Sequence, residues 1–498
     1  MNKDLYIAYL CNYLNFNENN LGNSNNYLNY VFPYNEPIKE GDIPNNVTHL
    51  VLGDTFNQPL KEGDIPNMVS HLTFGYDFNQ PLKEGDIPNS VTHLLLGYHF
   101  NQPLIKGDLP NSITHLIFEG CFNHPLKKDD IPNSVTHLVF GNISSQSLNK
   151  DAIPNSVTHL TLGDSFNQPL KKGDIPNSVI HLRLGNDFNQ PLKKGDIPNS
   201  VMHLIFGDCF NQPLKVDDIP NSVIYLEFGD NFNQPLKKGD IPNTITHLRL
   251  GEKFNQPLKG DDIPNSVIDL KFGDNFNQSL KKGDIPNRVT HLTFGDSFNQ
   301  SLKEGDIPNR VTYLIFGYDF NQPLSEGIIP NSVTHLKFGN SFNQPLKKGD
   351  IPNWITHLVL GDLFNQEIKE DTIPTSVTHL VLGYHFNQKL DNISNKLIEL
   401  ILYCPILNIH LNKNILTAYI DYDNIENKYY LMYNKYNIRI MYLKKIEFDY
   451  YISNIDVNKL NGKIIIKELV EKVFHPTRLL NISYKYNIGF IDLIDIYS

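Results

Sequence analysis

Cysteine is scarce: four in 498 residues, Cys11, Cys121, Cys209 and Cys404, far apart and without a CxxC pair. That spacing excludes a disulfide framework and a zinc knuckle, and it suits a reducing compartment. Tryptophan occurs once, at Trp354. No uninterrupted apolar run reaches the roughly 18 residues of a membrane span. The N-terminus, MNKDLYIAYLCNYLNFNENN, has no basic start leading into an apolar stretch and a small-residue cleavage site. Positive charge is not in excess, since 43 Lys and Arg against 54 Asp and Glu leave a formal charge of -11. Such a balance is ill suited to a phosphate backbone. These absences lead us to expect a cytoplasmic protein with neither a nucleic acid nor a membrane as partner.

What the chain has instead is one phrase, repeated. Proline stands at 44, 66, 88, 110, 132, 154, 176, 198, 220, 242, 264, 286, 308, 330, 352 and 374, sixteen copies at a spacing of 22 with no insertion. A fixed period of this length is the mark of a solenoid, in which each copy is too small to close a core and must bury its neighbour. The copy around Pro88 supplies six apolar columns, headed by Ile87, Val91, Leu94, Leu96, Phe100 and Leu104. Their main exception is Ser144, which replaces Phe in the copy of Pro132.

Within THLLLG, alternation puts Leu94 and Leu96 on one face of a strand and His93 and Leu95 on the other. The column of Leu95 contains Arg183, Glu227, Arg249, Lys271 and Lys337, which a solvent-facing position tolerates and a core position does not. Gly97 heads a column filled in fifteen copies and ends the strand at a turn. Asn101 recurs in fifteen copies and is expected to form a ladder that satisfies backbone groups between stacked turns. The KKGD and KEGD bends on the opposite side read as a solvated, mixed-charge face. Trp354 occupies a column that is mostly Ser and is expected to pack against the adjacent bend.

The reading is a repeat solenoid, leucine-rich-repeat-like and β-rich, with one parallel β-strand per 22-residue rung and a small α/β C-terminal region. Residues 1–33 form an N-terminal cap or linker, with a short element expected at 5–14. Residues 34–390 form the sixteen repeats, 391–460 a degenerate repeat and strand-rich cap, and 461–498 a helical C-terminal module.

The phrase FNQPL, at 56, 78, 100, 166, 188, 210, 232, 254, 320 and 342, resembles the core of the FNIP repeat. IPNSVTHLLL is similar to the LPxxLxxLxL phrase of short bacterial leucine-rich repeats, although Asn101 lies two residues later after the strand than in that pattern. The resemblance implies a leucine-rich-repeat-like solenoid of the kind found in social amoebae and in giant viruses of amoebae, which would place a viral protein in the host cytoplasm. Some members of the family carry an F-box ahead of the repeats and recruit a ubiquitin ligase, so ligase components are possible partners. No LPxE opening of an F-box precedes Pro33.

The most provocative column is histidine: His49, His71, His93, His115, His137, His159, His181, His203, His247, His291, His335, His357 and His379, with Tyr225, Asp269 and Tyr313 as substitutes. Strands about 4.8 Å apart would bring these rings into a stripe. Stacked neutral rings could be purely structural, the stripe could be read by a partner, or adjacent pairs could ligate a metal. A site made identically by every rung has no closed set of four ligands, which disfavours the metal. Clustered imidazoles should also titrate toward acid pH. The candidate interaction stripe is therefore this histidine column together with Asp269, its most distinctive break. No Ser/His/Asp or paired-carboxylate constellation assembles where the repeat breaks pattern, so no enzyme and no cofactor is expected. The function expected is a protein-protein interaction scaffold. A ligase adaptor working through the C-terminal region and a self-associating structural or virion component are the alternatives.

Overall fold

The computed structural model describes residues 29–388 and, beyond them, the backbone of strands Glu399–Leu402, Thr417–Ile420, Tyr430–Asn434 and Asn437–Tyr442. The element expected at 5–14, most of the stretch 391–460 and the helical module expected at 461–498 lie outside the described residues. The chain divides into two compact units, Met1–Phe210 and Asn211–Ser498.

Each unit is a parallel β-solenoid with 22 residues per turn. In the first, Asn29–Phe32 pairs with His49–Leu52, and every following strand pairs in parallel with the one 22 residues on, as His93 does with His115 and Leu94 with Leu116. The last strand of this unit is His203–Ile205. In the second, the same register runs from Tyr225–Glu227 to His379–Leu382. Glu399–Leu402 and Thr417–Ile420 continue the parallel pairing, and Tyr430–Asn434 with Asn437–Tyr442 forms an antiparallel hairpin.

The six apolar columns face inward as the alternation requires: Ile87, Val91, Leu94, Leu96, Phe100 and Leu104 are each at most 4% exposed. Burial of that kind contributes about 1.5–3 kcal/mol per large side chain. The Phe column stacks ring on ring at 6.1–6.2 Å from Phe56 to Phe122, and again from Phe232 to Phe386 at the same separation.

Two polar residues recur from turn to turn, one tying each turn to the next and one closing its bend. Asn79 Oδ1 accepts the backbone N–H of Asn101 at 2.9 Å and Nε2 of Gln102 at 3.0 Å, and the pattern repeats along both units. The Asn ladder is thus where the sequence placed it, and Gln proves to be its second member. The other residue corrects the reading of the KEGD bend as a solvated face. Asp86 is 6% exposed, and its Oδ2 accepts the Lys83 backbone N–H at 2.8 Å while its own N–H donates to Lys83 O at 3.0 Å. The bend is a β-turn whose third residue, Gly85, has φ +91°. The Lys, Glu and Gly of that bend face water; the Asp carboxylate turns inward and closes the turn on the Lys83 N–H. Burial, ahead of every other influence, raises the pKa of Asp86, Asp108, Asp196, Asp240 and Asp284.

One rung departs. Ser144 interrupts the Phe stack between Phe122 and Phe166, Ala152 removes the turn carboxylate, and a cavity of about 20 Å³ opens among Phe122, Phe140, Leu162 and Phe166. Loss of a buried Phe amounts to about 1.5–3 kcal/mol, or at least about tenfold in a local opening equilibrium. Native-state hydrogen exchange should therefore find the amides of this rung exchanging at least about tenfold faster than the equivalent amides around Phe100. Equal protection of the two rungs would refute that expectation.

Candidate functional site: an outward stripe of imidazoles

On the face opposite the buried leucines, eight imidazoles of the first unit form an unbroken stack. From His49 to His203 successive ring centroids lie 4.1–4.3 Å apart and the planes tilt by 8–18°. In-register parallel pairing forces this, because each histidine sits directly over the one 22 residues earlier. In the second unit the stack is shorter. His291, Tyr313, His335, His357 and His379 stack at 4.1–4.5 Å, whereas Tyr225 and His247 are 6.2 Å apart and tilted.

The sequence reading missed the residue that holds each ring. Thr92 Oγ1 lies 2.9 Å from His93 Nδ1, and the same contact joins Thr48, Ser70, Thr114, Thr136 and Thr158 to the following histidine at 2.9–3.0 Å. Each hydroxyl from Ser70 to Thr158 also donates to the main-chain carbonyl of the residue 22 positions earlier, at 3.1–3.2 Å. A Thr directly before a His is the sequence signal for this. It is absent at Ile180 and Met202, so His181 and His203 stack without it.

Burial and the packing of ring on ring favour the neutral form along much of the first unit's stack. Burial first, then the neighbouring imidazoles, lower the pKa of His71, His137, His159 and His181 to about 4 and of His93 to about 3. His49 is lowered by burial, and His115 by burial and then by His159. In the second unit burial likewise lowers His335 and His357.

Asp269 is held from the neighbouring strand. Arg249 donates to both of its oxygens, at 2.8 and 2.7 Å, a two-pronged ion pair on the outer face. One strand earlier in the same unit, the Tyr225 hydroxyl donates to Glu227. Burial, followed by Glu227, pushes the Tyr225 phenol up. Where the imidazole stack of the second unit breaks, a charged, hydrogen-bonded cluster takes its place. Trp354 projects from its bend at 65% exposure.

Nothing in the stripe converges on a point. Parallel rings direct their lone pairs side by side, and among the described residues no group of three or more His, Cys, Asp or Glu could hold a metal ion. Cys121 and Cys209 are free thiols. Among the described residues, no helix is long and apolar enough to cross a membrane.

The FNIP Repeat family matches residues 34–77, 78–121, 122–165, 166–209, 210–253, 254–297, 298–341, 342–384 and 364–404. The chain belongs to the FNIP repeat family. Among solved structures it is similar to CroV588, described as a novel circular LRR protein structure, at 41% identity and a TM-score of 0.71. That match covers 78% of this chain and 58% of the other, so this FNIP repeat protein spans 58% of the length of its structural relative. A leucine-rich repeat protein from Bacteroides ovatus matches 72% of the chain and 79% of its own at 14% identity, with a TM-score of 0.16. No curated protein matches the sequence at a significant level. Repeat solenoids of this leucine-rich-repeat-like kind are typically interaction scaffolds and typically non-catalytic.

Proposed function

We propose that this FNIP repeat protein is a non-enzymatic interaction scaffold, and that the outward imidazole stripe of its first unit is the surface a protein partner reads. The observation that carries this is the unbroken stack of eight rings from His49 to His203, held in register on a solvent-facing sheet. A flat, rigid array costs a partner little ordering on the scaffold side, since its side chains are already immobilised by stacking and by the Thr hydroxyls. Thr73, Leu95, Ile117, Val139 and Thr161 flank the rings in the adjacent outward column, so the face offers apolar contact beside polar acceptors.

The test is affinity capture from host-type lysate with the full chain and with a His93→Phe, His115→Phe, His137→Phe variant, the proteins retained being compared by mass spectrometry. Loss of specific partners from the variant, with melting temperature kept, is the expected result. Identical captures would remove the stripe as the reading surface. Retention of ligase subunits by both proteins would favour the adaptor reading, and retention of the chain alone would favour self-association.

A further inference from the structure

The hydrogen bonds of the stripe determine more than its rigidity. Each Thr hydroxyl has one proton and two neighbours that could take it, the carbonyl 22 residues earlier and the adjacent imidazole Nδ1. The second unit contains a natural control: Thr312 precedes Tyr313, which has no ring nitrogen, and its Oγ1 still donates to Thr290 O at 3.1 Å. That is the distance found for Thr114 and Thr136 in the first unit. Where an imidazole is present the hydroxyl keeps this carbonyl within 3.1–3.4 Å, as a donor would. The hydroxyl then has only lone pairs left for Nδ1, so Nδ1 must be the protonated nitrogen and Nε2 the bare one. His71, His93, His115, His137 and His159 all make this Nδ1 contact, and among the described residues none has a hydrogen-bond partner at Nε2.

We infer that the stripe from His71 to His159 is a one-way array of hydrogen-bond acceptors, and that its occupant is a lysine- or arginine-rich peptide segment laid across the strands. The inference rests on the interaction-face reading above and names the partner's chemistry. With Nε2 bare along the row, three observations favour cationic donors over any other occupant. No Lys or Arg occurs in the strands, or in the bends that follow them, between Ser70 and Phe166. The bends alongside carry Asp54, Asp77, Glu119 and Asp164. Tyr76 and Tyr98, stacked at 4.8 Å, add aromatic faces on which a guanidinium can rest. A second copy of the same stripe is a poor occupant, since acceptor would face acceptor.

Two measurements on the full chain test this. Long-range proton–nitrogen correlation on histidine-labelled protein at neutral pH should find Nδ1 protonated and Nε2 bare for the five rings. Protonated Nε2 would overturn the inference and leave the interaction-face reading standing. In the second, a fluorescent twelve-residue peptide of alternating Arg and Gly is titrated against the chain, beside counterparts in which citrulline or Glu replaces Arg. The Arg peptide should bind best. The His93→Phe, His115→Phe, His137→Phe variant should lose on the order of tenfold or more in affinity, as expected for removal of several charge-assisted bonds. Thr92→Val, Thr114→Val, Thr136→Val, which frees the tautomer while keeping the imidazoles, should weaken binding several-fold. Preference for the Glu peptide, or undiminished Arg-peptide binding by the Phe variant, would overturn the assignment. If capture of natural partners still depends on the stripe in either case, the face is right and its chemistry wrong.

Discussion

Between about pH 7.5 and about pH 4.5 the melting temperature of the full chain is expected to fall by on the order of 10 °C or more. The ordinary histidine value is 6.5, and in the folded chain His71, His137, His159 and His181 are held at about 4 and His93 at about 3. The folded values are depressed, so the unfolded chain binds more protons throughout this window. Stability is complete above pH 6.5 and is lost as the pH falls toward 4. The rings are partly solvated, so each is assigned only about 1 kcal/mol, well short of its full displacement. Five of them still outweigh the opposing effect of the bend carboxylates. Asp86, Asp108, Asp196, Asp240 and Asp284 are raised by burial, so acidification relieves a cost there, but their displacement is the smaller. Calorimetry across the range gives the curve. A His93→Tyr, His115→Tyr, His137→Tyr variant identifies its source, because Tyr313 already stacks between His291 and His335 at 4.5 and 4.2 Å. That variant should lose roughly half of the acid-induced fall. A fall of unchanged size would remove the stripe as its source.

Gly97→Ala is expected to cost at least about 3 kcal/mol and to lower the melting temperature by several degrees, whereas Gly63→Ala should cost only about 1 kcal/mol. The two glycines are conserved in the repeat for different reasons. A Cβ on Gly97 would lie 1.8 Å from the carbonyl oxygen of Gly75 and 2.8 Å from its carbon, so backbone meets backbone and a whole turn would have to move. Gly63 has φ +91° and nothing within 4 Å of an added Cβ, so a side chain there meets conformational strain alone. The chain supports this distinction. Asp129, Asp151, Asp217, Asp261 and Asp371 occupy the bend column with φ between 60 and 75°. In the close-packed column the exception is Glu119, and there the tight approach moves to Gly120, whose Cβ would meet Tyr98 O at 2.4 Å. Urea titration of the two variants beside wild type decides the matter. Equal destabilisation would mean that rung separation is softer than the carbonyl contacts imply.

Most of the fold was legible because the repeat is a physical average. Sixteen copies show which columns tolerate charge, so the Arg and Lys at the position of Leu95 were enough to place His93 on the outer face. The Asn ladder followed from a polar residue recurring where chain turns must stack. The bend was misread for lack of such a signal. KEGD looks hydrophilic whether or not its last residue turns inward, and only the turn geometry at Gly85 brings the Asp86 carboxylate onto the Lys83 N–H.

Sequence alone determined the period, the strand in each rung, the inward and outward columns and the stripe itself, since alternation and spacing are properties of the chain read in order. Tertiary structure decided what the stripe is chemically. The protonated nitrogen of His93 depends on a hydroxyl one residue away that donates to a carbonyl 22 residues away. The pairing of Asp269 with Arg249 depends on a diagonal contact across adjacent strands. Such contacts are set by the distance between turns and by the direction in which each donor points, and neither is written in the order of the residues.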